Sequence, residues 1–405
     1  MVVVSSPAIV EECFTKNDVV LAGRPRLIIN KYIGYNNTTL VDSSYGDYWR
    51  NLRRLTTVEV FSTAQLNTFQ SIRHDEIKLI LKKIYKNSYK NFTRVELRSL
   101  FSELTFNNIT RMVDGKRYFG EDEDNDEAKE FQELVEEVLT YGIEKNLARL
   151  GGKMDTFLQH LIDQQRQNKG KTNTMIDHML SLQESKPKYY TDVTIKGIIS
   201  VMLFAGTDPT AVTIEWAMSA LLNHPEKLQK AKIEIDNLVG NDRLVNESDL
   251  TKLSYLQNII YETFRLFPAT PLLLPHEASS DCTLGGYDIP HGTMLTVNAW
   301  AIHRDPKIWN DPISFNPERF EAREVGPPKL IPFGMGRRSC PGMGLSYRVV
   351  GLTLGSLIQC FEWQRVGERL VDLTEGKGLT IPKEVPLEAM CKARDVLHKV
   401  LSEAN

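Results

Sequence analysis

The sequence predicts a mainly α-helical protein of the α+β class, with one large helical region and a smaller region of short strands. The stretch Thr191–Leu222 is apolar on all sides, as in a long buried helix. Leu272–Val297 instead alternates and is broken at Gly285-Gly286, which indicates short strands and hairpins. A Gly-rich loop around Cys340 leads directly into another apolar stretch at helical spacing. We expect residues 1–405 to form a single domain, because this length suffices for a large core.

The composition excludes several classes of protein. The chain has 41% hydrophobic and 25% charged residues and a formal net charge of −3, so no overall basic charge indicates nucleic-acid binding. Its five cysteines are scattered and form no disulfide framework, which favours a reducing compartment. The longest apolar run, Ile198–Ala205, is far shorter than the roughly 18 residues of a transmembrane helix. The start, Met1–Pro7, lacks the basic residues of a signal peptide.

The chain is expected to begin with a strand at Val2–Val4 and a helix at Ala8–Phe14, followed by a loop at Leu27–Tyr48. A helix from Gly46 carries Trp49 and Arg53 on one face. Further helices are predicted at Phe61–Lys90, Val95–Val113, Phe131–Tyr141, Glu144–Arg166, Thr174–Leu182 and Leu250–Phe267. The stretches Glu121–Glu127 and Asn168–Lys171 are predicted to be solvated loops, and Leu370–Met390 is predicted to be strand and turn.

Cys340 lies among glycines and arginines in the stretch Pro332–Gly344. Glycine lets the backbone approach a flat ligand, and the following helix N-terminus favours a thiolate. An inert core cysteine would not need these neighbours, and a zinc site would need further ligands at short spacing. A thiolate nucleophile remains open. Haem ligation accounts for all the residues together, with Cys340 on the iron and Arg338 on a propionate.

The pattern Phe333-x-x-Gly336-x-Arg338-x-Cys340-x-Gly342 resembles the haem-binding loop of cytochrome P450 enzymes. The resemblance implies haem b as the cofactor, held between a long central helix and the helix that follows the cysteine. It also implies a set of cofactor-binding residues, namely Cys340 as metal ligand together with Trp49, Arg53, Ala205, His276, Phe333, Arg338 and Gly342. Taken alone, the Trp49 helix would be a solvated basic helix with a buried indole, and a lone histidine such as His276 is usually structural.

The long central stretch contains Ala205-Gly206-Thr207-Asp208, which is similar to the oxygen-binding helix of that family. The resemblance assigns catalytic roles to Gly206, Thr207, Asp208 and Thr210. Pro209 departs from the family pattern, because the family usually has a threonine or serine whose hydroxyl helps to deliver protons. Thr210 lies about 100° further round the helix and cannot simply replace it. The alternative from the residues alone is a proline-kinked core helix, or two helices capped at Thr207 or Asp208.

Three charged residues resemble a further feature of the family. Glu262-x-x-Arg265 places both side chains on one helical face, and Arg319 follows in Pro317-Glu318-Arg319-Phe320. The resemblance implies a buried ionic triad of Glu262, Arg265 and Arg319 that fixes the cysteine loop. A lone Glu-x-x-Arg pair is otherwise an ordinary surface pair.

The resemblance covers essentially the whole chain and is strongest to plant enzymes that hydroxylate flavonoids and isoflavones, through Tyr45–Arg53 and Asn298–Pro306. It implies a monooxygenase that hydroxylates a small phenolic plant metabolite at the cytosolic face of the endoplasmic reticulum membrane. NADPH would supply the electrons through a flavoprotein reductase. The substrate pocket would include Met202, Leu272, Leu273 and Leu379. A basic docking face would include Arg50, Arg54, Arg337 and Arg348.

Two segments of the family are expected to be missing: the anchor, hinge and first helix before residue 1, and part of the join near residues 142–144. Two alternatives therefore stay open. One is a haem-thiolate isomerase or dehydratase that needs neither oxygen nor reductase, which Pro209 motivates. The other is a truncated haem-binding remnant without activity.

Overall fold

The computed structural model describes residues 1–120, 134, 146–168, 174–322 and 326–402, and within them it has the predicted, mainly helical class. The helices are α1 (Pro7–Phe14), α2 (Ile28–Tyr32), α3 (Asp47–Leu55), α4 (Thr63–Thr68), α5 (Gln70–Ser88), α6 (Arg98–Val113), α7 (Leu147–Gln167), α8 (Met175–Ser185), α9 (Asp192–Asn223), α10 (Pro225–Val239), α11 (Glu247–Leu250), α12 (Ser254–Leu266), α13 (Ala299–Ile302), α14 (Met343–Cys360) and α15 (Asp395–Ser402).

The strands are short and form three small sheets. They are β1 (Val2–Val4), β2 (Thr93–Glu96), β3 (His276–Glu277), β4 (Cys282–Leu284), β5 (Tyr287–Ile289), β6 (Met294–Val297), β7 (Phe361–Arg365) and β8 (Glu388–Ala393). In one sheet β6 lies between parallel β1 and antiparallel β3, and in another β8 lies between antiparallel β2 and β7. The β4–β5 hairpin turns at Gly285 and Gly286, both with positive φ.

Helix α9 runs through the middle of the protein and is continuous past Pro209. It packs against α6, α12 and α14, and Trp216 stacks on Phe267 with ring centroids 4.4 Å apart. Its residues from Thr210 to Leu222 are all buried. Within the described ranges α9 is also the helix long and apolar enough to span a membrane, but 67% of its apolar window is buried in the protein, as expected of a core helix.

Two predicted boundaries are wrong because tertiary packing decides the local structure. The stretch Leu27–Tyr48 was expected to be loop but contains α2, which packs against α7. A Cβ on Gly151 of α7 would lie 2.7 Å from the carbonyl oxygen of Tyr32, so the glycine permits this close approach. The predicted helix from Val95 begins instead as strand β2, because this segment pairs with β8.

Two further predicted helices are each divided. Phe61–Lys90 forms α4 and α5, with α4 capped by the Ser62 hydroxyl, and Leu250–Phe267 separates into the end of α11 and the whole of α12. The acidic loop at 121–127 and the shortened join near 142–144 lie outside the described residues. So do the predicted helix at 131–141, except for the helical and buried Leu134, and most of the polar loop at 168–171.

The predicted charged triad lies beside the segment that leads to the cysteine loop. Glu262 and Arg265 of α12 are fully buried and form two hydrogen bonds, of 2.7 and 2.8 Å. The Glu262 carboxylate also accepts hydrogen bonds from the Arg319 side chain, at 3.1 Å, and from the backbone N–H of Asn316, at 2.7 Å. Arg265 in turn donates to backbone carbonyls of the segment that precedes Arg319, including that of Ser314.

We expect Glu262→Gln to destabilise the fold by about 3–5 kcal/mol, because two buried guanidinium groups lose their counter-charge. Denaturant unfolding followed by circular dichroism measures this loss. Glu321→Gln is the matched control, since the exposed Glu321 contacts Lys230 at the surface and should change stability by less than about 1 kcal/mol. Equal effects of the two substitutions would contradict the structural role of the triad.

Candidate functional site

The cysteine loop is a tight turn held by its own backbone. The N–H of Cys340 donates to the carbonyl of Phe333 at 2.8 Å, and the N–H of Ser339 donates to that of Gly336 at 3.1 Å. Gly334 and Gly336 have φ of 69° and 71°, which side chains rarely adopt. A Cβ on Gly336 would also lie 2.5 Å from a carboxylate oxygen of Asp18. The glycines therefore serve the shape of the loop and its contact with the N-terminal segment.

Cys340 precedes α14 and points its sulfur toward the start of that helix. The backbone N–H groups of Gly342 and Met343 donate to the sulfur, and the Arg53 guanidinium lies nearby. Burial raises the pKa of the Cys340 thiol, and these two N–H groups and the charge of Arg53 oppose that rise. Cys340 as a residue is nevertheless exposed. A metal ion bound to this thiol would deprotonate it.

Three arginines from different parts of the chain meet around the cysteine loop. Arg338 donates to the carbonyls of Ala22, Leu40 and Ser43, and its guanidinium lies 4.3 Å from the ring centroid of Trp49. Arg53 donates to the carbonyl of Ser339 at 2.7 Å.

The third arginine, Arg24, is buried and was not anticipated from the sequence. It donates to the carbonyls of Val41, Leu274 and Pro275. No motif marks it, because its partners lie 17, 250 and 251 residues away in the sequence.

These arginines carry more positive charge than the neighbouring carboxylate can balance. Burial, and after it the positive charges of Arg24 and Arg53, lowers the pKa of Arg338 to about 9, against the opposing charge of Asp42. Burial lowers the pKa of Arg24 to about 10. An anion placed among these groups would offset the penalty of keeping them charged and buried.

Trp49 and His276 are already bonded to the backbone. The Trp49 indole N–H donates to the carbonyl of Leu40 at 3.0 Å, so this residue supports Arg338 through its ring. His276 is buried and its Nδ1 donates to the carbonyl of Leu21 at 2.7 Å. Burial lowers the pKa of His276 to about 3, and Arg24 and Arg338 lower it too. A neutral His276 therefore keeps its other nitrogen as an acceptor, and it would bind a carboxylate only after taking up a proton.

The residues around the cysteine loop fit haem. A thiol at a helix N-terminus suits the iron, and the loop glycines leave the backbone free to approach a flat ring. The positive charges of buried Arg24 and of the half-buried Arg53 and Arg338 suit the two carboxylates of that group.

On α9, the side chains of Thr207, Asp208 and Thr210, which were predicted to act together, form hydrogen bonds with different partners. Thr207 and Thr210 donate their hydroxyls to the carbonyls of Leu203, at 2.7 Å, and Gly206, at 3.2 Å. The Asp208 carboxylate instead accepts a hydrogen bond from the Thr380 hydroxyl. Burial raises the pKa of Asp208, while Thr380 and the charge of Arg98 lower it.

Gly206 and Ala205 differ in their surroundings. A Cβ on Gly206 would lie 2.8 Å from the side chain of Ile109, so this glycine permits the close packing of α6 against α9. Ala205 is exposed, although Leu203 and Thr207 on either side are buried. Ala205 is therefore an exposed position of the continuous helix, and Pro209, four residues later, cannot donate a hydrogen bond to the Ala205 carbonyl. We call this exposed position the opening of α9.

The four predicted pocket residues lie in different environments. Met202 is 3% exposed and belongs to the apolar core around α7 and α8. Leu272 and Leu379 are 49% and 64% exposed. Leu273 has an unusual φ of 51°, and a Cβ on Gly334 of the cysteine loop would lie 4.0 Å from its side chain.

Comparisons with known proteins agree with this geometry. The family model of cytochrome P450 matches residues 1–388. A protein named cytochrome P450 81Q32 from Catharanthus roseus is 58% identical over 424 positions, which cover 100% of this chain and 85% of that protein. An isoflavone 2'-hydroxylase from Medicago truncatula is 50% identical, with 99% of this chain and 84% of that protein covered.

Both alignments are longer than the 405 residues of this chain, so they contain gaps on its side. A zebrafish cytochrome P450 solved with abiraterone has a TM-score of 0.86 and 26% identity, and the match covers 97% of this chain and 93% of that one. The predicted fold and the predicted family are thereby confirmed.

We expect Arg24→Met to weaken haem retention by about tenfold, because one charge-assisted contact with a carboxylate is lost. Transfer of haem from the purified protein to an excess of a haem acceptor measures the effect. Arg26→Met is the matched control, because Arg26 lies two residues away and is exposed. Haem loss at the same rate from both variants would contradict the assignment of Arg24 to the site.

Proposed function

The chain belongs to the cytochrome P450 monooxygenase family, and from this premise we propose that it hydroxylates a small phenolic plant metabolite of the isoflavonoid class. The observation that carries the proposal is the Cys340 thiol directly before α14, which accepts hydrogen bonds from backbone N–H groups at the start of that helix and has the Arg53 guanidinium nearby. The isoflavone hydroxylase among the relatives supports the substrate class. NADPH would supply the electrons through a flavoprotein reductase.

Haem, when bound, supplies the oxygen-activating chemistry. The protein's own contribution is to hold and shield it. Cys340 provides the thiolate, with the N–H groups of Gly342 and Met343 stabilising its charge. Arg24, Arg53 and Arg338 would receive the carboxylates.

The loops that carry Leu272, Leu273 and Leu379 would determine which substrate fits. Leu272, Leu273 and Leu379 offer mainly apolar surface with few hydrogen-bonding groups, which suits a flat aromatic molecule. We assign Leu379 to the mouth of the pocket because of its high exposure.

Three of the four arginines of the proposed reductase-docking face already pair with acidic side chains. Arg50, Arg337 and Arg348 form ion pairs with Asp47, Asp18 and Glu247, respectively, and these acidic groups reduce the attraction for an acidic partner. Arg54 is exposed on the same helix as Arg50. An acidic reductase surface would therefore have to compete with the pairs already present.

By family resemblance we place the protein at the endoplasmic reticulum membrane.

We expect the reduced protein with carbon monoxide to give a red-shifted thiolate–carbonyl Soret band, and Cys340→Ala to abolish it, because the sulfur ligand is removed. Cys360→Ala, at the end of the helix that follows Cys340, is the control, and it should keep the band, since Cys360 is fully buried in the core. A variant that lacks Cys340 and keeps the shifted band would overturn the assignment.

A second candidate function is favoured by Pro209, which removes the usual hydroxyl from α9. It is an isomerase or dehydratase that uses the haem without oxygen or reductase.

We expect isoflavone hydroxylation only when NADPH, oxygen and reductase are all present. Product formed at an undiminished rate without the reductase would favour the isomerase, and a folded, haem-loaded protein inactive in both assays would favour the non-catalytic remnant.

A further inference from the structure

Near the opening of α9 at Ala205, the hydroxyl groups of the helix itself are not available to donate hydrogen bonds outside it. Pro209 has none, and the hydroxyls of Thr207 and Thr210 both donate to backbone carbonyls of their own helix. Among the described residues, the hydroxyl that donates to the Asp208 carboxylate belongs to Thr380, which lies 172 residues further along the chain. Asp208 therefore depends on another element for its hydrogen bond.

Thr380 is held in place by its neighbours. The N–H of Ile381 donates to the carbonyl of Ala269, and the Ile381 carbonyl accepts a hydrogen bond from the indole N–H of Trp216 on α9, each at 2.9 Å. A Cβ on Gly378 would lie 2.6 Å from the carbonyl oxygen of Thr380, so a side chain there would disturb the turn. The segment is thus fixed both to α9 and to the chain after α12.

The same segment follows α9 over several turns. Glu215 on α9 accepts hydrogen bonds from Arg98 and from the backbone N–H of Leu387, and Asn223 pairs with the backbone of Val371 in both directions. These contacts do not involve Asp208. The Asp208–Thr380 hydrogen bond is therefore an addition to a segment that is already anchored, rather than its main support.

We propose that Thr380 is a positioning residue, whose hydroxyl orients the Asp208 carboxylate at the opening of α9 and compensates there for the hydroxyl that Pro209 lacks. This inference rests on the proposed monooxygenase function, which needs protons delivered at that opening. Asp208 carries the proton on its carboxyl group and recovers it from solvent, so no electrons are transferred. Arg98 is the charged group that acts on Asp208 besides its hydrogen-bond partner.

The first test measures Asp208 directly in the haem-loaded protein without substrate or reductase. The infrared band of its protonated carboxyl group is followed against pH and assigned with Asp208→Asn. In Thr380→Val the titration midpoint should move to higher pH, because the hydrogen bond that favours the ionised form is lost. Thr380→Ser should restore the midpoint. An unchanged midpoint in Thr380→Val would overturn the proposal.

Thr374→Val is the matched control. Thr374 lies on the same segment, and its hydroxyl donates to Asp372 at 2.7 Å, but Asp372 is exposed and its neighbour Val371 pairs with Asn223, the last residue of α9, far along the helix from Asp208. This variant should leave the Asp208 band where it is. A shift of equal size in Thr374→Val would mean that loosening the segment, and not the Thr380 hydroxyl, controls Asp208.

The second test uses turnover. In Thr380→Val the product formed per NADPH consumed should fall by about tenfold, since positioned proton donors contribute 10²–10⁴-fold to rates. Pro209→Thr returns a hydroxyl to the helix, so Thr380→Val should cost little in that background. An equal loss in both backgrounds would overturn the compensation. An inactive parent protein with a normal infrared shift would count against the proposed function and not against the role of Thr380.

Discussion

The carboxylate of Glu262 holds together parts of the chain that are distant in sequence. A buried carboxylate must be paired, and here its partners are Arg265 of the same helix, Arg319, and a backbone N–H of the intervening segment. These bonds draw the segment before the cysteine loop onto α12. Next to Arg265, the ring of Phe264 packs edge-on against Phe333 at 5.0 Å, at the start of the loop. The position of the thiol thus follows from the pairing of one buried charge.

A second set of charges, which are buried or half-buried, has the opposite balance. Arg24, Arg53 and Arg338 donate to backbone carbonyls, and the nearby acid Asp42 acts on Arg24 and Arg338, so their positive charge is only partly compensated within the protein. The Glu262 cluster has its opposite charges within the chain, whereas an anionic ligand would complete this one. Haem binding should therefore stabilise the fold itself, since a ligand that binds only the native state shifts the folding equilibrium.

What the sequence predicted well is encoded at short spacing. The loop before α14 and the continuous apolar pattern of α9 were anticipated from the residues themselves, and the burial of the Glu262–Arg265 pair was anticipated through the family resemblance. Arg24 and Thr380 were not, because their partners lie far away in the sequence. The strand at Thr93–Glu96 was missed for the same reason, since only its pairing with β8 distinguishes it from a helix.

Pro209 shows how a helix can tolerate a residue that removes a hydrogen bond. Pro209 cannot donate a hydrogen bond to the carbonyl of Ala205. Ala205 is exposed at the opening of α9, so its carbonyl is not an unsatisfied acceptor in the core. Contacts of the buried half of the helix, such as the stacking of Trp216 on Phe267, keep it continuous. The fold therefore gains little from a threonine at this position. The consequence of Pro209 falls on chemistry, where the hydroxyl beside Asp208 must come from a separate segment of the chain.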